Sequence, residues 1–585
     1  MLYLSQNQRV VKGAAVKRYF QYLREYRLQC WLGAFSKWIE AALELLVPLV
    51  MASIVDVGVG GGSISYVLWG GAVMFAMGAV GFGCAVFCQR SASIASQGFG
   101  TNVRNALFAH INMLSYKELD KIGAASLLTR TVNDVTQMQS AVAMIIRLVV
   151  RSPFIAVCSV VLCMLLDWQI GLIVLAAAVG VSLVLWLIMK KSVPLYTRNQ
   201  KKLDRLAQIA SENLEGARVV RAFQSREKER GRFDGAAEEM LDNSLRIGRI
   251  SAWLNPLTYA LINIGVALVL FWSGYKVNSG SGLTSGKIIA IINYMMQILN
   301  ALIVISNLVS LFTKAHASME RVSEVFDLES SVQDGAGAEP DFNAPAAEFC
   351  GVDFSYAGDD RLTLSGIDMK IPKGAQIGII GGTGSGKSTL VNLLPRLYDA
   401  TRGSVRVFGH DVREYSVRTL RNLFGVVPQN AALFSGTVRS NLSWGNDQAT
   451  DADCERALKI ACAYDFVAEK GGMDQPVSEG GKNFSGGQRQ RLTIARAVVG
   501  RPPILILDDS CSALDFATDA AVRANIAKLQ CTTFIVSQRA SSLQAADTIF
   551  VLEDGKIVGS GTHEELYGTC ALYTEICDSQ ARSSV

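Results

Sequence analysis

Between residues 31 and 313 the chain carries six long apolar stretches, near 31–58, 66–89, 144–166, 169–189, 251–275 and 286–313. At 1.5 Å of rise per residue, about 20 residues cross a hydrocarbon layer roughly 30 Å thick. The second stretch, YVLWGGAVMFAMGAVGFGCAVF, is apolar around the whole circumference of a helix, unlike a helix that packs one face on a soluble core. This half of the chain must therefore fold in a lipid bilayer. Half of the 585 residues are apolar, in keeping with that demand.

The connections fix an orientation. Those after stretches one, three and five are short and nearly uncharged, whereas those after two and four run to roughly fifty and sixty residues. Lys190 to Arg249 alone holds fourteen Lys and Arg. The positive-inside bias puts the N-terminus and the long connections in the cytoplasm, and six crossings return the C-terminal half to the same side. The long connections keep helical periodicity, as in QKKLDRLAQIASENLEGARVVRAF, and read as helices continuing beyond the bilayer. The formal net charge is only +5 and no basic tract suits nucleic acid, which excludes a nucleic-acid partner. The twelve cysteines are scattered without metal spacing and read as reduced apolar residues. No cleavable leader or organelle address is evident near the N-terminus, which favours a bacterial plasma membrane.

Residues 329–346, SSVQDGAGAEPDFNAPA and its neighbours, have the composition of a linker. They divide a membrane domain, 1–328, from a domain over 347–585 in which β-rich segments such as AQIGIIG, PILILDD and CTTFIVSQ alternate with helical ones. That alternation predicts an α/β fold with a largely parallel sheet. With the match of Gly381, Gly386, Lys387 and Ser388 to G-x-x-x-x-G-K-[ST], the expected fold class is a polytopic α-helical membrane domain followed by an α/β P-loop nucleotide-binding domain.

IGIIGGTGSGKSTL, 377–390, reads as strand, glycine-rich turn and helix, with Gly381, Gly386, Lys387 and Ser388 matching G-x-x-x-x-G-K-[ST]. Backbone N–H groups of Gly381, Gly382, Thr383, Gly384, Ser385, Gly386 and Thr389 can close around the phosphates of ATP. Lys387 reaches the β and γ phosphates, and the Ser388 hydroxyl is suited to Mg²⁺. PILILDD then delivers Asp508 to the metal and Asp509 to the position facing an attacking water.

NFSGGQRQRLTIARA, 483–497, is similar to the signature of ATP-binding cassette proteins, with Ser485, Gly486, Gly487 and Gln488 in register and Phe484 replacing the usual Leu. Tyr356 in FSYAG, Gln429 in VVPQN and SALD at 512–515 resemble that family's adenine-stacking residue, Q-loop and D-loop. In the membrane half, 115–135 and 212–223 resemble its intracellular coupling segments. The whole chain resembles an exporter-type half-transporter. The resemblance implies that Gln429 reaches metal and water, and that ATP lies between the phosphate loop of one cassette and the signature of another. A second half-transporter is thus required.

Two residues depart from the family pattern. Asp509 stands where a glutamate is usual and Gln538 where a histidine is usual; of the four histidines, the nearest, His563, lies well downstream. Losing a methylene withdraws the carboxylate by on the order of 1.5 Å, and displacements near 1 Å can cost about a hundredfold in rate. An amide at 538 can still hydrogen-bond a γ-phosphate but carries no charge. The expectation is a slow ATP site whose intact signature completes a partner's site, in a heterodimer in preference to a homodimer. It would export amphipathic or apolar small molecules; lipid or peptide export, siderophore import and ATP sensing without transport are the alternatives. Asn255, Asn263, Asn293, Asn300, Asn307, Tyr294, Met295 and Met296 offer either a cargo surface or interhelical glue. Lys37, Glu40, Glu44, Arg147 and Arg151 sit toward the cytoplasmic ends of their spans.

Overall fold

The computed structural model describes residues 18–278, 283–356, 361–510 and 514–583, so Ser512 and Ala513 of the SALD segment lie outside the described residues. The chain divides into two compact units, one of residues 1–110 and 125–327 and the other of 111–124 and 328–585.

Among the described residues, the first unit contains six helices long and apolar enough to cross a membrane: α1 (Arg18–Val59), α2 (Ile64–Met113), α3 (Ala124–Leu166), α4 (Trp168–Glu215), α5 (Arg226–Val277) and α6 (Ser285–Phe326). They run for 42 to 52 residues, beyond what a bilayer needs, as the charged periodic connections predict. On α2, Trp69 and Phe75 are exposed, the placement for rings whose solvent is lipid.

The unit's largest core gathers around α6. Ile291, Tyr294, Met295 and Ile298 pack with Ala41 and Leu45 of α1, Ile155 and Cys163 of α3, and Ile170 and Val174 of α4. Tyr294 and Met295 are thereby sealed between helices, and the Tyr294 hydroxyl donates to the Leu45 carbonyl at 2.6 Å. They serve as helix-to-helix glue. Asp56 accepts from the Gly286 N–H at 2.7 Å, and a Cβ on Gly286 would meet the Ala52 carbonyl oxygen at 2.2 Å, so only glycine allows this approach. The charges are mostly paired: Lys37 with Glu40 at 2.7 Å, Arg151 with Glu44 at 2.6 Å, and Lys276 with Asp167 at 2.5 Å.

The second unit is an α/β domain. Its strands are β1 (Ala347–Phe354), β2 (Leu364–Ile371), β3 (Gln376–Gly381), β4 (Arg402–Val407), β5 (His410–Asp411), β6 (Phe424–Val427), β7 (Gly436–Thr437), β8 (Pro476–Val477), β9 (Ile504–Asp508), β10 (Thr532–Val536), β11 (Thr548–Glu553) and β12 (Lys556–Gly561). A six-stranded sheet runs β12-β11-β3-β10-β9-β6, parallel except for the β11–β12 hairpin, beside a four-stranded antiparallel sheet β2-β1-β4-β5. Every residue of β9 and β10 is buried, as an apolar strand inside a sheet covered on both faces must be.

Residues 329–346 are held by backbone bonds, with Gly335 N–H on the Tyr415 carbonyl and Gly337 and Ala338 N–H on that of Glu414. The short helix Tyr116–Ile122, between α2 and α3, also belongs to this unit. Tyr398 donates its hydroxyl to Asp120 Oδ2 at 2.6 Å, and its ring lies 6.1 Å from that of Tyr116.

Candidate functional site

Strand β3 ends at the phosphate loop, and α7 (Lys387–Leu393) leaves it. Gly381, at φ 157°, passes so close to β11 that a Cβ would meet the Leu552 carbonyl oxygen at 2.1 Å; Gly386, at φ 99°, caps α7 in a left-handed conformation. The Lys387 ammonium folds back onto the loop, donating to the Gly381 and Gly382 carbonyls at 2.9 and 2.7 Å. Burial lowers its pKa, opposed by Asp509 and Asp508.

From the next strand but one, β9 delivers Asp508 to the same place. The Ser388 hydroxyl donates to Asp508 Oδ1 at 2.9 Å. Burial, with the neighbouring Asp509 charge, holds the Asp508 carboxyl above the usual aspartate range. Asp509 follows at φ 46°, its N–H bonded to the Val536 carbonyl at 2.9 Å, a left-handed turn that aspartate tolerates. Its carboxyl is also raised by burial, against the cations Lys387 and Arg539 and a hydrogen bond with the Gln429 side chain.

These residues enclose a cavity of about 330 Å³, lined by Tyr356, Thr363, Thr383, Gly384, Gly386, Lys387, Ser388, Thr389, Gln429, Asp508, Asp509, Val536 and Gln538. Gly381, Gly382 and Ser385 stand behind this wall as partners of Lys387. Tyr356 is braced edge-on by Phe354 and Tyr398, at 4.9 and 5.4 Å between centroids, and its hydroxyl lies 2.9 Å from that of Thr389. It is 37% exposed, leaving surface on which a flat ring can lie.

Ser485, Gly486, Gly487 and Gln488 do not line this cavity. They form the start of α8 (Gly486–Val498), where the Ser485 hydroxyl accepts from the Gln488 N–H at 3.3 Å and Gln488 Oε1 accepts from the Ser485 N–H at 3.1 Å. Ser485 and Gly486 are exposed, so this helix start is presented outward. Phe484, the departure from Leu, is buried edge-on to Phe466 at 6.3 Å. Arg489 donates to the Phe484 carbonyl and so braces this turn, while Arg491 donates from α8 to the Cys462 carbonyl.

Several described residues near the site carried no motif. Thr363 lines the cavity, Arg539 adds charge beside Asp509, and Gln580 reaches the 538–540 backbone from the C-terminal helix. His563 is engaged elsewhere, its Nδ1 2.8 Å from the Tyr573 hydroxyl.

Residues 30–302 match the family described as ABC transporter transmembrane region, and residues 364–512 match ABC transporter. An uncharacterized ABC transporter ATP-binding protein of Mycobacterium tuberculosis is 36% identical, the alignment covering 96% of this chain and 98% of the relative. A similarly described protein of Bacillus subtilis is 33% identical over 97% and 98% of the two chains. The ATP-dependent lipid A-core flippase of Yersinia pestis is 29% identical over 96% and 97%. A solved bacterial Atm1-family ABC exporter with ATP bound shares the fold at a TM-score of 0.77, with 24% identity over 97% of this chain and 98% of that one.

Proposed function

This chain belongs to the ABC transporters, as a membrane region and an ATP-binding cassette in one exporter subunit, and on that premise we propose that its own ATP site turns over slowly while its signature completes the site of a different partner chain. The observation that carries the reading is that Asp509 and Gln538 line one cavity with the phosphate loop, whereas Ser485 to Gln488 lie outside it, with Ser485 and Gly486 exposed.

In this reading Tyr356 stacks on adenine, the loop from Gly381 to Thr389 cradles the phosphates, and Lys387 exchanges its loop carbonyls for phosphate oxygens. Ser388 and Asp508, whose oxygens already meet at 2.9 Å, fit a small hard cation and would hold Mg²⁺ with Gln429 nearby. Bound Mg²⁺ would neutralise charge on the transferring phosphoryl group. Asp509 orients the attacking water from one methylene too far back. Gln538 contacts the γ-phosphate through a neutral amide. Nucleotide is bound well and cut slowly, and cassette closure on ATP drives alternating access of the six spans.

Both termini lie in the cytoplasm, and the cargo is an amphipathic or apolar small molecule. The likeness to the lipid A-core flippase favours lipid as the second reading of the cargo. ATP turnover by the chain purified alone, and with the half-transporter encoded beside it, tests the reading. Turnover should depend on the partner; vigorous turnover by the lone chain defeats the proposal.

A further inference from the structure

The C-terminal helix α10 (Ala571–Ser583) is anchored at one end by Tyr573, which is fully buried, and along its length by Leu572, Ile576 and Cys577 against the cassette core. Seven residues after Tyr573 is two turns of helix, so Gln580 returns to the same inward face. There its side-chain amide makes two bonds to one short loop: Nε2 donates to the Gln538 carbonyl at 2.7 Å, and Oε1 accepts from the Ala540 N–H at 2.9 Å. A primary amide presents one donor and one acceptor side by side, matched here to a C=O and an N–H two residues apart.

The loop that it grips leaves the end of β10 and bears two groups of the nucleotide site. Gln538 lines the cavity, and Arg539 acts on Asp509 while its guanidinium lies 5.1 Å over the Phe516 ring. The Arg539 N–H bonds to the Ser537 hydroxyl at 2.9 Å, and from the other side Arg523 of α9 (Phe516–Ala527) donates to the Ser542 carbonyl at 3.0 Å. Between these two fixed points, Gln580 holds the backbone of 538 and 540.

We propose that Gln580 is a positioning residue for nucleotide recognition: by clamping residues 538–540 it aims the Gln538 amide at the γ-phosphate, so the C-terminal helix sets how well this cassette distinguishes ATP from ADP. The inference rests on the reading of Gln538 as the γ-phosphate contact. A side chain aimed by its own backbone loses its bond when that backbone drifts by about 1 Å.

The test is equilibrium binding of Mg²⁺–ATPγS and Mg²⁺–ADP to the full chain, comparing wild type with Gln538→Ala, Gln580→Ala, Gln580→Glu and Gln538→Ala/Gln580→Ala, each checked by thermal unfolding. Loss of a hydrogen bond to a charged oxygen lowers the preference for ATPγS over ADP by about tenfold in Gln538→Ala. Gln580→Ala is expected to lower it similarly, the loss falling on ATPγS, and the double variant to fall no further. Gln580→Glu keeps the acceptor for Ala540 but sets a carboxylate against the Gln538 carbonyl, so it too loses the preference, and it decides the matter if Gln580→Ala does not fold. Wild-type discrimination in the Gln580 variants, with loss in Gln538→Ala, overturns the clamp and leaves the Gln538 reading standing. Full discrimination in Gln538→Ala overturns that reading and the clamp with it.

Discussion

The Ser388 hydroxyl and Asp508 Oδ1 meet at 2.9 Å, joining the first turn of α7 to the end of β9. A serine from the phosphate loop and an acid from a separate buried strand thus converge where a phosphate-bound cation would sit. The arrangement concentrates two neighbouring carboxylates, Asp508 buried and Asp509 half-buried.

That concentration costs stability. Burial raises both the Asp508 and Asp509 pKa values, so the folded chain binds protons more readily than the unfolded chain between the ordinary aspartate value and the raised ones. Nucleotide-free stability should therefore fall as pH rises through this window. Asp508→Asn, which mimics the protonated acid in charge, should raise the melting temperature at neutral pH, with the gain vanishing below the ordinary aspartate range. A melting-temperature series over pH on wild type and variant checks this, and an equal gain at every pH would count against it.

Lys387→Met removes the one ammonium at the phosphate loop. Charge-assisted hydrogen bonds of roughly 1.5–3 kcal/mol correspond to about a tenfold to hundredfold loss of ATP affinity. Fluorescent-nucleotide titration of the full chain should show that weakening.

Tyr356→Ala should weaken ATP and ADP alike, because both carry adenine. Stacking of a base on an aromatic ring is worth about 1–3 kcal/mol by alanine substitution, about fivefold to hundredfold. Tyr356→Phe, which loses only the hydroxyl beside Thr389, should stay near wild type. Competition binding with ATP and with a triphosphate lacking the base distinguishes stacking from general disruption of the loop.

The parts legible in the sequence were those governed by local chemistry. The six spans show because a change of solvent forces apolar residues onto every face, and the phosphate loop because β3, Gly381, Gly386, Lys387 and Ser388 are contiguous. Asp508 was legible because it is the first acid after the apolar run PILIL, at the C-terminal end of a strand, where a phosphate-bound metal is met. The Gln580 grip on Gln538 and Ala540 was not, because it spans some forty residues and depends on which face of α10 the Tyr573 anchor turns inward. Likewise the Gly/Ala/Pro composition of 329–346 says nothing of its bonds to Glu414 and Tyr415. Phe484 read as a deviation from a motif until its burial beside Phe466 gave it a packing role.

The most direct test of a slow site that belongs to this chain is ATP turnover by the full chain together with the half-transporter encoded beside it, the partner's phosphate-loop lysine replaced by methionine so that only this chain's site is read, in wild type and in Asp509→Glu/Gln538→His. The account predicts slow turnover by wild type and a rise of about a hundredfold in the double variant, as the carboxylate regains its reach. Fast wild-type turnover that the double variant does not increase would contradict it.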